Sequence, residues 1–190
     1  MSYKELKSYE QAKIVYDFTV EFCDRYIDKS NRTNKTYRSR MYDQMVQAAR
    51  SGKQNIAEGS ANPTSEKSEL KLLGVARASF QELLEDYEDF LRQRGLRQWD
   101  KESQFAQLVR QLAYGTNRSY TTYKSYMSDP EVAANCALCL IHQVNFLLDR
   151  QIRSAESQFV RQGGYTEKLA HRRGEEVKKR VIGRTFRKYE

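Results

Sequence analysis

Apolar residues recur three or four apart at Ala12, Val15, Phe18, Phe22 and Tyr26, with Ile14 and Ile27 widening the stripe. That spacing puts them on one side of an α-helix. Ser8 and Gln11 have capping-box spacing, so the first helix is expected from Ser8 to about Lys29. The stretch 30–36, SNRTNKT, is rich in turn formers and reads as a loop. A second stripe follows at Met45, Ala48, Ala49, Gly52 and Ile56. Gly59 offers the backbone freedom that ends a helix, and Pro63 forbids its continuation. Thr64 and Ser65 can cap a third helix, whose stripe is Leu70, Leu73, Ala76, Ser79, Phe80 and Leu83. Small residues on both stripes (Ala48, Gly52, Gly74, Ala76, Ser79) let two antiparallel helices lie close. Residues 44–83 therefore predict a helix hairpin, around which the rest of the chain is organised.

The third helix carries Glu82, Glu85, Asp86, Glu88 and Asp89, then Arg92, Arg94 and Arg97, an order that suits the helix dipole, and Gly95 is its natural stop. Trp99 and Asp100 read as staple and cap of a fourth helix with Phe105, Leu108, Val109 and Leu112 facing inward. This helix either breaks at Gly115 or runs on through 119–127, SYTTYKSYM; continuation with a weak point is the preferred reading. Asp129-Pro130 opens a fifth helix, since proline is tolerated in a first turn. It is apolar almost all round from Val132 to Leu148, yet Asn135, His142, Gln143 and Asn145 make it too polar and too short to span a membrane. A buried central helix is expected there. The pattern as a whole predicts an all-α protein: an antiparallel up-down four-helix bundle over 1–128, a suffix helix over 129–164, and a basic, partly helical tail over 165–190.

Composition changes this picture mainly through charge. The 190 residues are 39% hydrophobic and 31% charged, which suits long helices with solvated outer faces. The net charge of +8 is uneven, because residues 165–190 hold nine Lys/Arg against four Glu. An acidic partner is implied, nucleic acid first and an anionic surface second. The N-terminus MSYKELKSYE has no apolar core of a signal peptide, and an odd number of cysteines, three, fits reduced thiols, so a cytoplasmic protein is expected. On that basis the sequons at Asn31, Asn34 and Asn117 carry no meaning.

Several residue clusters are candidates for chemistry. Asn55 and Glu58 read as a helix terminus rather than an active site, since no nucleophile or metal partner is adjacent. The acidic run of the third helix has no Glu-x-x-His motif for a di-metal site and reads as a solvated or subunit-facing stripe, which Arg38, Arg40, Arg50 and Lys53 of a neighbouring copy could meet. Cys136, Cys139 and His142 have C-x-x-C-x-x-H spacing, and Cys23 could complete a zinc set; buried small hydrophobes are the preferred reading. Tyr120, Tyr123 and Tyr126 beside Arg118 and Lys124 could stack single-stranded bases or could simply pack on the suffix helix. The tail presents Arg172, Arg173, Lys178, Lys179, Arg180, Arg184, Arg187 and Lys188, with Phe186 and Tyr189 interleaved, a density that captures phosphates. No phosphate-cradling glycine loop and no nucleophile-with-base arrangement occurs, so a non-catalytic protein without cofactor or metal is expected.

The stretch QNIAEG (Gln54 to Gly59) followed by SEKSELKLLGVARASFQEL (Ser65 to Leu83) resembles the four-helix-bundle family of 23S rRNA intervening-sequence proteins, which includes the accessory variability proteins of diversity-generating retroelements. The family pattern matches at Asn55, Ile56, Ala57, Glu58, Gly59, Ala76, Ser79, Glu82 and Leu83, and the resemblance covers about residues 9–115. It implies a homopentameric bundle whose basic surface binds nucleic acid and a reverse transcriptase. Residues 130–190 look similar to a suffix domain of some bacterial members. The expected function is an oligomeric nucleic-acid-binding accessory protein, an adaptor for a reverse transcriptase or RNA-processing complex. The competing expectation is a protein-interaction module whose basic tail docks on an acidic protein.

Overall fold

The protein is described by a computed structural model over residues 2–27, 35–61, 66–116 and 118–186, with side chains defined except at 35–39, 162 and 181–186. The fold is all-α, and no strand occurs among the described residues. Six helices follow in order: α1 (Lys7–Tyr26), α2 (Lys35–Ala61), α3 (Glu66–Gln93), α4 (Gln104–Leu112), α5 (Pro130–Gln162) and α6 (Tyr165–Phe186). A short 3-10 helix, Tyr3–Glu5, precedes α1, and a longer one, Tyr120–Ser128, precedes α5. The expected Pro63, Thr64 and Ser65 turn lies outside the described residues, as does most of the 30–36 loop.

Helix α2 packs on α1 and α3, and α5 packs on α3 and α1, so these four long helices close a ring of contacts. Their stripes merge into one core, where Phe18, Phe22, Ile56, Phe80, Tyr87 and Ile141 are fully buried. Phe22 meets Tyr87 and Phe90 edge-on with ring centroids 4.8 Å apart, pairs worth about 0.5–1.5 kcal/mol each beyond their burial. The one polar atom of this cluster is satisfied, because the Tyr87 hydroxyl donates to Thr19 Oγ1 at 3.1 Å. Burial raises the Tyr87 pKa well above the ordinary phenol value, so the group stays neutral.

The hairpin expected from the small residues is held by close approach and a polar clasp. A Cβ added at Gly52 would stand 2.6 Å from the Phe80 ring, so only glycine lets that ring lie against α2. The Ser51 and Ser79 hydroxyls meet at 3.1 Å across the helices, and Asn55 Nδ2 donates to the Ser51 carbonyl at 2.8 Å. Gly59 has a different role from the expected stop: α2 continues to Ala61, and Gly59 admits Leu72 and the Glu69 backbone within 3.4 Å of its missing Cβ. Gly74 is not part of the contact, having open space where a Cβ would be. Gly95 does end α3 as expected: it takes φ +64° while Leu96 N–H donates to the Leu91 carbonyl, the 6→1 bond of a Schellman motif.

Several other expectations are corrected. Ser8 does not cap α1; it is buried inside it and donates to Gln151 of α5 at 2.6 Å. Ser103, not Asp100, caps α4, while Asp100 accepts from Glu102 N–H in the preceding turn. Phe105 and Leu108 of α4 are exposed rather than inward: this short helix packs on α5, and the Phe105 ring stacks on Trp99 at 5.4 Å. The chain does not continue as one helix through 119–127: it turns at Ala113–Thr116 and re-forms as the 3-10 helix. With three residues per turn, Tyr120, Tyr123 and Tyr126 line up on one side. Tyr123 is fully buried and the other two are half-buried against the core.

Helix α5 packs on α3 and α1 as the fourth wall of the ring. Its start is as expected, with Pro130 in the first turn and Asp129 Oδ1 accepting from Glu131 and Val132 N–H. The helical stretch Pro130–Arg180 carries an 18-residue window of mean hydropathy 1.3, apolar and long enough to cross a membrane, although its polar residues argue otherwise in the sequence. Of that window 61% is buried against the other helices, and a core helix in this position needs the same composition.

Candidate nucleic-acid interface

Helix α6 owes its exposure to its sequence. Leu169 and Val177 stand among charges, and none of its described residues is buried. It is held at its first turn. Gly163, at φ +67°, ends α5 and redirects the chain. Glu167 then accepts from Gly164 N–H at 2.9 Å. Glu66, at the start of α3, accepts from Tyr165 N–H at 2.9 Å and from Lys168 Nζ at 2.8 Å. Those donors, Lys168 first, hold the Glu66 carboxyl down at about 2. Beyond this latch every residue from His171 to Arg180 is exposed. Helical spacing places Arg172 and Lys179 on one side and Arg173 and Arg180 on the next, with Lys178 beyond and Glu175 and Glu176 interleaved.

Of the other cations named from the sequence, those with described side chains stand on other elements. Arg40 and Arg50 are exposed on α2. Lys53 is half-buried with its Nζ 3.9 Å above the Tyr16 ring, and burial lowers its pKa. Arg118 is committed within the fold, donating from Nη1 to Gln11 Oε1 at 2.8 Å. Lys124 is exposed on the 3-10 helix before α5, while α6 follows α5; 33 residues of α5 separate these ends by ~50 Å. The Arg38 and Arg184 side chains, and Arg187 and Lys188 altogether, lie outside the described residues. Of the two roles open to the tyrosines, base stacking or packing, the structure shows packing, with Tyr120 edge-on to Phe18 at 6.2 Å.

The thiols also serve the core. Cys23 Sγ lies 3.9 Å from Met45 Sδ. Burial raises Cys136 well above the ordinary thiol value and Cys139 to about 11, so both stay protonated and poorly suited to metal or nucleophilic chemistry. Among the described residues no group of three His, Cys, Asp or Glu side chains is placed to hold a metal.

A second feature went unseen in the sequence because its residues come from four separate segments. A groove of about 830 Å³ opens between α4, α5, the N-terminal end of α1 and the 98–101 turn. Lys7, Lys101, Arg110 and Arg118 supply positive charge, Trp99, Tyr114 and Phe146 supply aromatic surface, and no carboxylate is among its described lining residues. Asn135 fixes one wall, accepting from Trp99 N–H at 2.7 Å and donating to the Arg97 carbonyl at 2.8 Å. Arg110 Nη2 donates to the Lys101 carbonyl at 2.6 Å, which brings both cations to the same wall. A relay runs from Arg118 through Gln11, fully buried, whose Nε2 donates to Gln143 Oε1 at 3.1 Å. It ends at Gln143 Nε2, a buried donor with no acceptor in the fold, a situation that costs about 1–3 kcal/mol. Burial lowers the His142 pKa, Arg77 and Lys101 add to this and Glu88 opposes it, so the ring is neutral at pH 7. No family model, no curated protein and no solved structure matches this chain.

Proposed function

We propose that the protein is a non-catalytic nucleic-acid-binding accessory protein whose contacts are made by α6. The observation that carries this is a helix exposed throughout 171–180 that concentrates Arg172, Arg173, Lys178, Lys179 and Arg180 and contributes no described residue to the core. A helix kept charged and unpacked has its donors free for phosphates, and release of counterions then drives binding with little dependence on sequence. The Glu66 latch gives the arm a fixed origin on the bundle without covering its cations. Assembly with further copies into a pentamer, and service to a reverse transcriptase, follow from the sequence resemblance; native mass spectrometry of the full chain checks the first of these.

The test is a gel shift with single-stranded RNA and DNA of equal length across a salt series. Five phosphate contacts on a single strand give a log–log salt slope of about −3.5. Replacing Lys178, Lys179 and Arg180 together by glutamate should abolish the shift. Binding that survives this replacement with an unchanged slope rules out α6 as the interface. Failure to bind either nucleic acid at low salt, with retention of an acidic protein instead, favours the protein-docking reading.

A further inference from the structure

The groove beside α5 is independent of α6 and has a chemistry of its own. Its cations stand over an apolar wall that includes Leu138, Ala106 and Leu147, so a ligand must carry negative charge at one end and a desolvated body at the other. A fatty acid meets that description in part. However, a single carboxylate leaves the charge of Lys7, Lys101 and Arg110 only partly balanced, and an acyl chain offers nothing to Gln143. The buried Gln143 Nε2 needs an acceptor that an acyl chain does not have. Tyr114 and Phe146, 89% and 61% exposed, leave aromatic surface open at the groove, with the Arg150 guanidinium 5.8 Å from the Phe146 ring.

The geometry points to a nucleoside-phosphate site: a base against the aromatic and apolar wall of Trp99, Tyr114 and Phe146, with Gln143 donating to a ring nitrogen or carbonyl. The phosphate is taken by Lys101 and Arg110, already brought together at one wall, and by Lys7 from α1. Both a free nucleotide and the 5′-phosphorylated end of a strand present this chemistry. The volume of about 830 Å³ accommodates one such unit and leaves room for a second. Arg118 has a positioning role, since its guanidinium fixes Gln11, which in turn orients Gln143 toward the ligand.

The chain has one tryptophan, and it lines this groove, so its fluorescence reports the site directly. Adenosine 5′-monophosphate titrated into the full chain should quench Trp99 saturably. Adenosine and inorganic phosphate, each lacking half of the match, should bind at least about tenfold more weakly. Arg110→Glu and Lys101→Glu should each weaken the monophosphate by about tenfold or more with the helical circular dichroism unchanged, while Arg110→Lys keeps most of the affinity. Glutamate at Lys178, Lys179 and Arg180 should leave this titration unchanged, which separates the groove from α6. A 5′-phosphorylated trinucleotide binding more tightly than the monophosphate identifies a strand end, and equal affinity identifies a free nucleotide. The inference is overturned if adenosine binds as well as its monophosphate, if decanoate saturates Trp99 while the nucleotide does not, or if both charge reversals leave affinity intact.

Discussion

The α2–α3 hairpin and helix α6 are both long and highly charged, yet one is specified by its neighbours and the other by its freedom from them. In the hairpin, Gly52 receives the Phe80 ring, Gly59 receives Leu72, Ser51 meets Ser79 across the contact, and Asn55 braces Ser51 from the same helix. Each residue there is chosen for what it touches. In α6 the cations of 171–180 are all exposed, and one carboxylate, Glu66, holds the first turn. Distinctive residues thus mark the scaffold, and the less distinctive basic run is the surface left for a ligand. A motif that identifies a fold need not be where the protein acts.

Mutations should separate the two regions by the size of their effect. Phe80→Ala leaves a cavity under α2 and should lower unfolding stability by about 3–5 kcal/mol in urea. Gly52→Val overpacks the same contact and should cost about 1–3 kcal/mol. Val177→Ala in α6 should remain within about 0.5 kcal/mol. A large loss at Val177 would break the contrast.

Asp86 gives a smaller, pH-dependent effect. Half-buried on α3, it is raised from 3.8 to about 6, by burial first and then by Asp89, Glu82 and Glu85. Its charged form therefore opposes folding. The penalty is absent below 3.8, grows as pH rises to about 6, and is full above it. Asp86→Asn should raise stability at pH 7 and flatten the pH profile between those values, as followed by urea unfolding at several pH values.

Glu66 behaves with the opposite sign and only locally. Its folded pKa of about 2 lies below the ordinary 4.5, so the latch contributes above 4.5 and is lost as pH falls toward 2. Glu66→Gln should speed amide hydrogen exchange over 165–170 at pH 7 while the unfolding midpoint of the bundle stays in place.

Much of the fold was legible because periodicity reports burial. The stripes of α1, α2, α3 and α5 all reappear in the core, and Asp129-Pro130 and Gly95 mark the boundaries they suggest. The misreadings share a cause: one residue type serves two physical roles, and the sequence does not say which. Gly59 could end a helix or admit a neighbour, and it admits one. Ser8 could cap its own helix or bond another, and it reaches Gln151. Phe105 and Leu108 complete a helical stripe, but α4 packs on α5 by another edge and leaves both exposed. The exposed cations of α6 were readable as a basic run. The groove was not, since Lys7, Trp99, Arg110 and Gln143 are brought together only when α5 takes its place in the ring.

The division of labour between bundle and arm is tested most directly by ending the chain at Gly164 and measuring two properties of the same sample. The account predicts an unfolding midpoint within a few degrees of the full chain, because no described residue of α6 is buried, together with loss of salt-sensitive nucleic-acid binding. A truncated chain that still binds with the same salt slope, or one that fails to fold, would contradict it.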